Sequence, residues 1–198
     1  VEADRAGLDR FVAGGVSMGA GIALRLACRH PERVTGLILL RPAWTFSPAP
    51  QNMEPIAEAA ELILEHSADE ARRIFAQSET ATRLYRDAPD NLASLHGYFD
   101  RPDAKAFARV LADIAGDGPG VSERDAAALD IPALVIGNEI DAVHPLSTAY
   151  ALAAAIPGAT FTKVTPKARD SAKHFAELHE QINFFLHSHS KARSLIPS

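Results

Sequence analysis

A serine with glycine two positions away on each side, Gly15-Val16-Ser17-Met18-Gly19, sits where the extended apolar run Phe11-Val12-Ala13 meets the helical run from Ala20 to Ala27. A strand that turns this tightly into a helix strains the backbone of its central residue and lifts the hydroxyl clear of the sheet. The residues two before and two after must then be small. The same turn places the first free N–H groups of the new helix beside the hydroxyl, and these donors, with the helix dipole, suit an anionic tetrahedral intermediate. The N–H of Met18 is expected to be one of them. The chemistry implied is nucleophilic attack on a carbonyl by Ser17. A serine alone is a weak nucleophile at neutral pH, so it needs a base within hydrogen-bond reach and a carboxylate that fixes the tautomer of that base. The C-terminal third of the chain offers Glu139 and Asp141 as carboxylates, and His144, His174 and His179 as bases.

The elements around these residues alternate in type. Glu2 to Arg10 reads as the end of a helix that turns at Gly7-Leu8-Asp9 into the strand before the serine. The helix after it runs to His30, where Pro31 stops it. Val34 to Leu40 is a continuous apolar run of the kind buried on both faces of a parallel sheet, and strand, helix, strand in this order implies a right-handed crossover. Arg41-Pro42-Ala43-Trp44 follows the carboxyl end of that strand, where open α/β sheets bind ligands. Trp44 is therefore a substrate-binding candidate, the alternative being an aromatic that closes the top of the core. From Ser47 to Gly120 no strand signal occurs. Ile56 to Leu64 reads as a helix, Ser67-Ala68-Asp69-Glu70 as a capping box, Asp90 as the cap of a further helix, and Pro102 to Ala115 as the last. Strand Ala133 to Ile136, helix Leu146 to Ile156, strand Thr160 to Val164 and helix Ser171 to Leu186 complete the series. Phe175, Leu178, Ile182 and Phe185 are expected on the core face of the final helix, and the tail with His187 and His189 is expected to fray.

Bulk properties narrow the possible partners. The 198 residues, 47% hydrophobic, suffice for one domain with a real core plus an inserted segment, and 20 basic against 25 acidic residues give a net charge of −5. With the signs interspersed and no long basic run, nucleic acid is not an expected partner. No apolar run approaches the roughly 20 residues of a membrane span. Cys28 is the sole cysteine, which excludes an intrachain disulfide and a thiolate metal cluster. It falls in the helix after the serine, where a buried inert thiol is the default. Residues 1–10 carry no export or transit character, so the expectation is a soluble, cytoplasmic protein that acts on a small molecule; its oligomeric state is open.

The run "FVAGGVSMGAGIALRLACRHPERVTGLILLRPAW" resembles the nucleophile elbow, following helix and next strand of the α/β-hydrolase family. The run "IPALVIGNEIDAVHPLSTAYALAAAIPGATFTKV" resembles that family's acid-bearing strand, helix and last strand. The resemblance implies an α/β fold, a mostly parallel sheet flanked by helices, with core residues 1–46 and 121–198 and a helical cap over 47–120. Because the family's elbow follows several earlier strands, it also implies that an N-terminal part of the fold is absent from this chain. The implied function is hydrolysis of a carboxylic ester or related acyl substrate through an acyl-enzyme on Ser17, with no metal or organic cofactor. Thioester, lactone or carbon–carbon bond hydrolysis, or a non-catalytic binding role, are the alternatives. The family's triad order is serine, acid, histidine. Asp141 suits the acid turn, with Glu139 as competitor. The Gly-His step that usually follows the last strand reads Thr165-Pro166-Lys167-Ala168-Arg169-Asp170 here, without a histidine. His174, nearest to that step, is the expected base, while His144 is expected to line the entrance and His179 to lie deeper in the helix.

Overall fold

The computed structural model describes residues 2–191. After the short helix α1 (Glu2–Arg5), strand β1 (Phe11–Ser17) leads into helix α2 (Met18–Arg29) and strand β2 (Val34–Pro42). A 3-10 turn (Gln51–Met53) then opens a run of helices: α3 (Glu54–Glu65), α4 (Ala68–Ala76), α5 (Glu79–Asp87), α6 (Pro89–Phe99), α7 (Ala104–Gly116) and the short α8 (Glu123–Ala127). Strand β3 (Ala133–Gly137), helix α9 (Leu146–Ala155), strand β4 (Thr160–Lys163) and helix α10 (Ser171–Lys191) complete the order.

All strand pairs are parallel, in the order β1-β2-β3-β4. Every residue of β3 is buried and most of β2 is too, as their unbroken apolar sequences demand of strands covered on both faces. One face packs Ala13, Val34, Leu37, Leu39 and Val135 against Leu24 of α2 and Leu152 of α9. The other packs Ile38, Leu134 and Ile136 against Phe185, Leu178 and Ile182 of α10. The carboxyl ends of three strands thus meet at one edge of a rigid layer, where Ser17, Arg41 and the loop after Gly137 emerge.

The helices between β2 and β3 have a core of their own. Met53, Ile56, Ile63, Phe75, Leu84, Leu95, Phe99 and Leu111 are buried together, joined by Trp44 and by Val143 from the loop after β3. Four local expectations are corrected. Ser67 caps α4 by accepting from the Glu70 N–H at 3.4 Å, whereas the reciprocal capping box occurs at Ser122 and Asp125. Ala88 rather than Asp90 precedes α6, and Asp90 lies in its first turn. The core face of α10 holds Leu178, Ile182 and Phe185 as expected, but at its start His174 is buried and Phe175 is 46% exposed, with the His174 ring nitrogen 2.7 Å from the Thr165 carbonyl oxygen. The helix also continues through His187 and His189, whose Nδ1 atoms each lie 2.7 Å from the carbonyl oxygen four residues back.

Candidate active site

Ser17 ends β1 and precedes the first residue of α2 with φ 58° and ψ −120°, a backbone conformation that a residue with a side chain adopts only under strain. The cause lies in the neighbouring glycine. A Cβ built on Gly15 would stand 2.1 Å from the Gly19 carbonyl oxygen and 2.8 Å from the Ala20 nitrogen, so the first turn of α2 sits where a side chain at position 15 would be. The expected size limit at position 19 is different in kind, since a Cβ there would meet nothing within 4 Å. Gly19 contributes its backbone to the close approach. The Ser17 hydroxyl does not cap α2, and Met18, 36% exposed, opens the helix beside it. The first amides of a helix have no intrahelical acceptor and carry the positive end of its dipole.

The Ser17 hydroxyl meets His144. Oγ lies 2.8 Å from His144 Nε2, and His144 Nδ1 lies 3.0 and 3.1 Å from the two carboxylate oxygens of Asp141. With the Nδ1–H donating to Asp141, Nε2 presents its lone pair to the Ser17 hydroxyl, which is the tautomer a general base needs. His144 reaches both partners because the turn from Asp141 to His144 folds back on itself: the His144 backbone N–H donates to Asp141 Oδ1 at 3.0 Å. Pro145 then begins the approach to α9.

Asp141 is held from two further directions. Its side chain is only 2% exposed. Arg41 of β2 donates from Nε to Oδ2 at 2.7 Å, and its Nη2 forms an ion pair with the same oxygen at 2.6 Å. Asn91 of α6 donates to Oδ1 at 2.9 Å and accepts from the Ala142 N–H at 2.7 Å. Asn52 anchors the same loop, with its amide donating to the carbonyls of Val143 at 2.7 Å and Ala43 at 2.9 Å. Burial pushes the Asp141 carboxyl up. The hydrogen bond and charge of His144, the charge of Arg41 and the Asn91 hydrogen bond outweigh it, so the group stays well below the usual carboxylate range. Glu139, the competing carboxylate, lies at the surface in an ion pair with Lys163 at 2.9 Å.

His174 is not brought to this cluster, which corrects the expectation of a base at that position. It lies in the first turn of α10 as expected, but its Nδ1 is 2.7 Å from the Thr165 carbonyl oxygen and the side chain is 1% exposed, inside the fold. His179 is exposed. His144, expected to line the entrance, stands in the place of His174 beside Ser17 and Asp141. An aspartate and a histidine three residues apart in a turn before proline were the available signal. Trp44 is 5% exposed and lies over Gly21, where a Cβ would come within 2.6 Å of its ring. It therefore closes the core, and it also borders a hollow of about 190 Å³ lined by Met18 and Ile22 of α2 and by Val110 and Ile114 of α7.

A family model described as the alpha/beta hydrolase fold matches residues 3–177. The chain belongs to that family. Over 169 residues it is 30% identical to a 2-hydroxymuconate semialdehyde hydrolase of Pseudomonas putida, an alignment that covers 79% of this chain and 54% of that protein. The chain spans about half the length of the curated relatives it matches. Among solved structures, a thermophilic esterase from Thermogutta terrifontis superposes with a TM-score of 0.65 at 22% identity, covering 95% of this chain and 69% of that one. An enol-lactonase from Burkholderia xenovorans LB400 gives 0.56 at 23% identity, covering 92% and 65%. At these identities the structural likeness bears on the fold. Within the family's parallel sheet, Ser17, His144 and Asp141 occupy the carboxyl ends of β1 and β3. No helix among the described residues is long and apolar enough to cross a membrane.

Proposed function

We propose that this protein is a serine hydrolase acting on a carboxylic ester or related acyl substrate. The observation that carries the reading is the continuous chain from Ser17 Oγ to His144 Nε2 at 2.8 Å and from His144 Nδ1 to Asp141 at 3.0 Å. His144 takes the Ser17 proton as Oγ attacks the acyl carbon, and the resulting imidazolium is stabilised by Asp141. The negative charge that forms on the carbonyl oxygen falls near the N-terminus of α2, where the Met18 N–H is one donor. As the tetrahedral species collapses, the alkoxide leaves with the proton held on His144. Water, deprotonated by the same histidine, then attacks the acyl-serine, and Ser17 recovers its proton as the acid is released.

Residues 47–120 serve in this reading as the cap over the site. Support comes from the separate core of α3 to α7 and from the hollow between α7 and α2, bordered by Met18 and Trp44. At about 190 Å³, well below the several hundred Å³ of pockets for larger ligands, that hollow suits a short acyl or alcohol group, with Trp44 as one wall. Carbon–carbon bond hydrolysis is the second reading, favoured by the likeness to the 2-hydroxymuconate semialdehyde hydrolase of Pseudomonas putida. A panel of 4-nitrophenyl esters of increasing acyl length, read together with fluorophosphonate labelling, tests the proposal. Turnover fastest on the short esters and abolished with labelling in Ser17→Ala supports it. Unchanged turnover in Ser17→Ala refutes it, and Ser17-dependent turnover confined to vinylogous diketones moves the assignment to the second reading.

A further inference from the structure

We propose that Arg41 is a positioning residue that acts through Asp141 and sets the geometry of the base; this rests on the reading of Ser17, His144 and Asp141 as a triad. Acid and base come from a single four-residue turn here, so neither can be aligned by moving one loop against the other. Their common turn has to be fixed from outside, and Arg41 is the charged side chain that grips its acid.

The register of β2 shows how Arg41 comes to point there. Val16 pairs with Leu40 and Ser17 with Pro42, so Arg41 is an extra residue without a partner in β1. Its φ is 45°, left-handed for a residue with a long side chain. An inserted residue of this kind bends the strand and re-aims a side chain that regular alternation would direct across the sheet. The re-aimed guanidinium reaches Asp141 Oδ2 with both Nε and Nη2, and Nη2 lies 3.2 Å from His144 Nδ1. The bulge stands immediately beside the nucleophile, and its strained residue spends its donors on the acid of the site. Strain that persists at such a point is held by the contacts it makes possible.

Arg41 holds the Oδ2 oxygen of Asp141 from the side of β2 while both carboxylate oxygens lie within 3.1 Å of His144 Nδ1, and its Nη2 stands 3.2 Å from the same nitrogen. The guanidinium therefore fixes the carboxylate that orients the ring, and with it the line from Nε2 to the Ser17 hydroxyl. Removing it loosens the carboxylate and lets the imidazole turn away from the nucleophile, which costs rate without removing a group that touches substrate.

The test follows kcat and KM on 4-nitrophenyl acetate for the wild-type protein, Arg41→Gln and Arg41→Lys, with Ser17→Ala as control. Arg41→Gln should lose kcat by roughly 10²-fold, the cost of misplacing a reacting group by about 1 Å, with KM little changed. Arg41→Lys keeps a charged donor on the carboxylate without the planar guanidinium, so its kcat should fall between the two. If Arg41→Gln does not fold, Arg41→Lys decides alone, and wild-type kcat there overturns the proposal. Wild-type kcat in Arg41→Gln, a loss carried by KM instead of kcat, or an Arg41→Lys no faster than Arg41→Gln also overturn it. A silent Ser17→Ala beside such a result removes the Arg41 role alone, whereas wild-type turnover by Ser17→Ala removes the triad reading and the role with it.

Discussion

Replacing Asn91 by alanine removes one tie between the helical segment and the acid loop while leaving Ser17, His144 and Asp141 themselves in place. The amide is 5% exposed and makes two bonds into the loop, donating to Asp141 Oδ1 at 2.9 Å and accepting from the Ala142 N–H at 2.7 Å. A hydrogen bond to a charged group contributes about 1.5–3 kcal/mol, and a buried N–H left without an acceptor costs about 1–3 kcal/mol. Asp141 keeps its bonds from Arg41 and from the His144 N–H, so the carboxylate is not stranded and the lower half of each range applies. The expected loss is about 3 kcal/mol. For a chain of this size each kcal/mol lowers Tm by roughly 2–4 °C, so calorimetry should show a drop of about 6–12 °C. Wild-type kcat should fall as well, since Asp141 loses one of the contacts that orient it. A Tm within about 2 °C of wild type would refute the argument and show that α6 merely lies beside the loop.

Other expectations are narrower. Gly15→Ala places a Cβ 2.1 Å from the Gly19 carbonyl oxygen, so urea unfolding should show a loss of about 3 kcal/mol or more, whereas Gly19→Ala, with open space at its Cβ, should be close to neutral. Burial pushes the Cys28 thiol up to about 11, with help from the charge of Asp125, so an aromatic disulfide reagent at mildly alkaline pH should react with it slowly in the native protein and quickly in urea. Asp141 is depressed in the fold; the stability it supplies is complete above the unfolded-state value of about 3.9 and fades as pH falls from there toward its folded value. Thermal melts should therefore show a constant Asp141→Asn deficit from neutral pH down to about pH 4 and a shrinking one in stronger acid, while Glu139→Gln, at an exposed ion pair, should change little.

What could be read in the sequence was what five to ten adjacent residues determine. The elbow is such a feature: Gly15, Ser17 and Gly19 carry it in one turn, with a strand before and a helix after. The buried strands β2 and β3 were legible from unbroken apolar runs, and Asp141 from its place just past one of them. The base was not legible by the same route, because His144 becomes available only through the shape of the turn that carries it. That shape depends on Asn52, Asn91 and Arg41, which contact the loop across 91, 50 and 100 residues of chain. His174 satisfied the expected chain order, yet a backbone oxygen at Thr165 claims its ring nitrogen. That contact depends on how the loop after β4 folds, and no spacing rule records it. Phe175 is exposed for the same reason, since His174 takes the buried place in the first turn while Leu178, Ile182 and Phe185 keep the expected face.

The central claim is that the base is His144, and the rate of fluorophosphonate labelling of Ser17 tests it most directly because it needs neither a known substrate nor a second half-reaction. His144→Ala should slow labelling by several orders of magnitude, comparable with the roughly 10⁴-fold loss known when a triad's histidine is wrongly oriented, while His174→Ala should label at a rate close to wild type in whatever fraction remains folded. Rapid labelling of His144→Ala together with silence in a folded His174→Ala would contradict the account and return the base to the loop after β4.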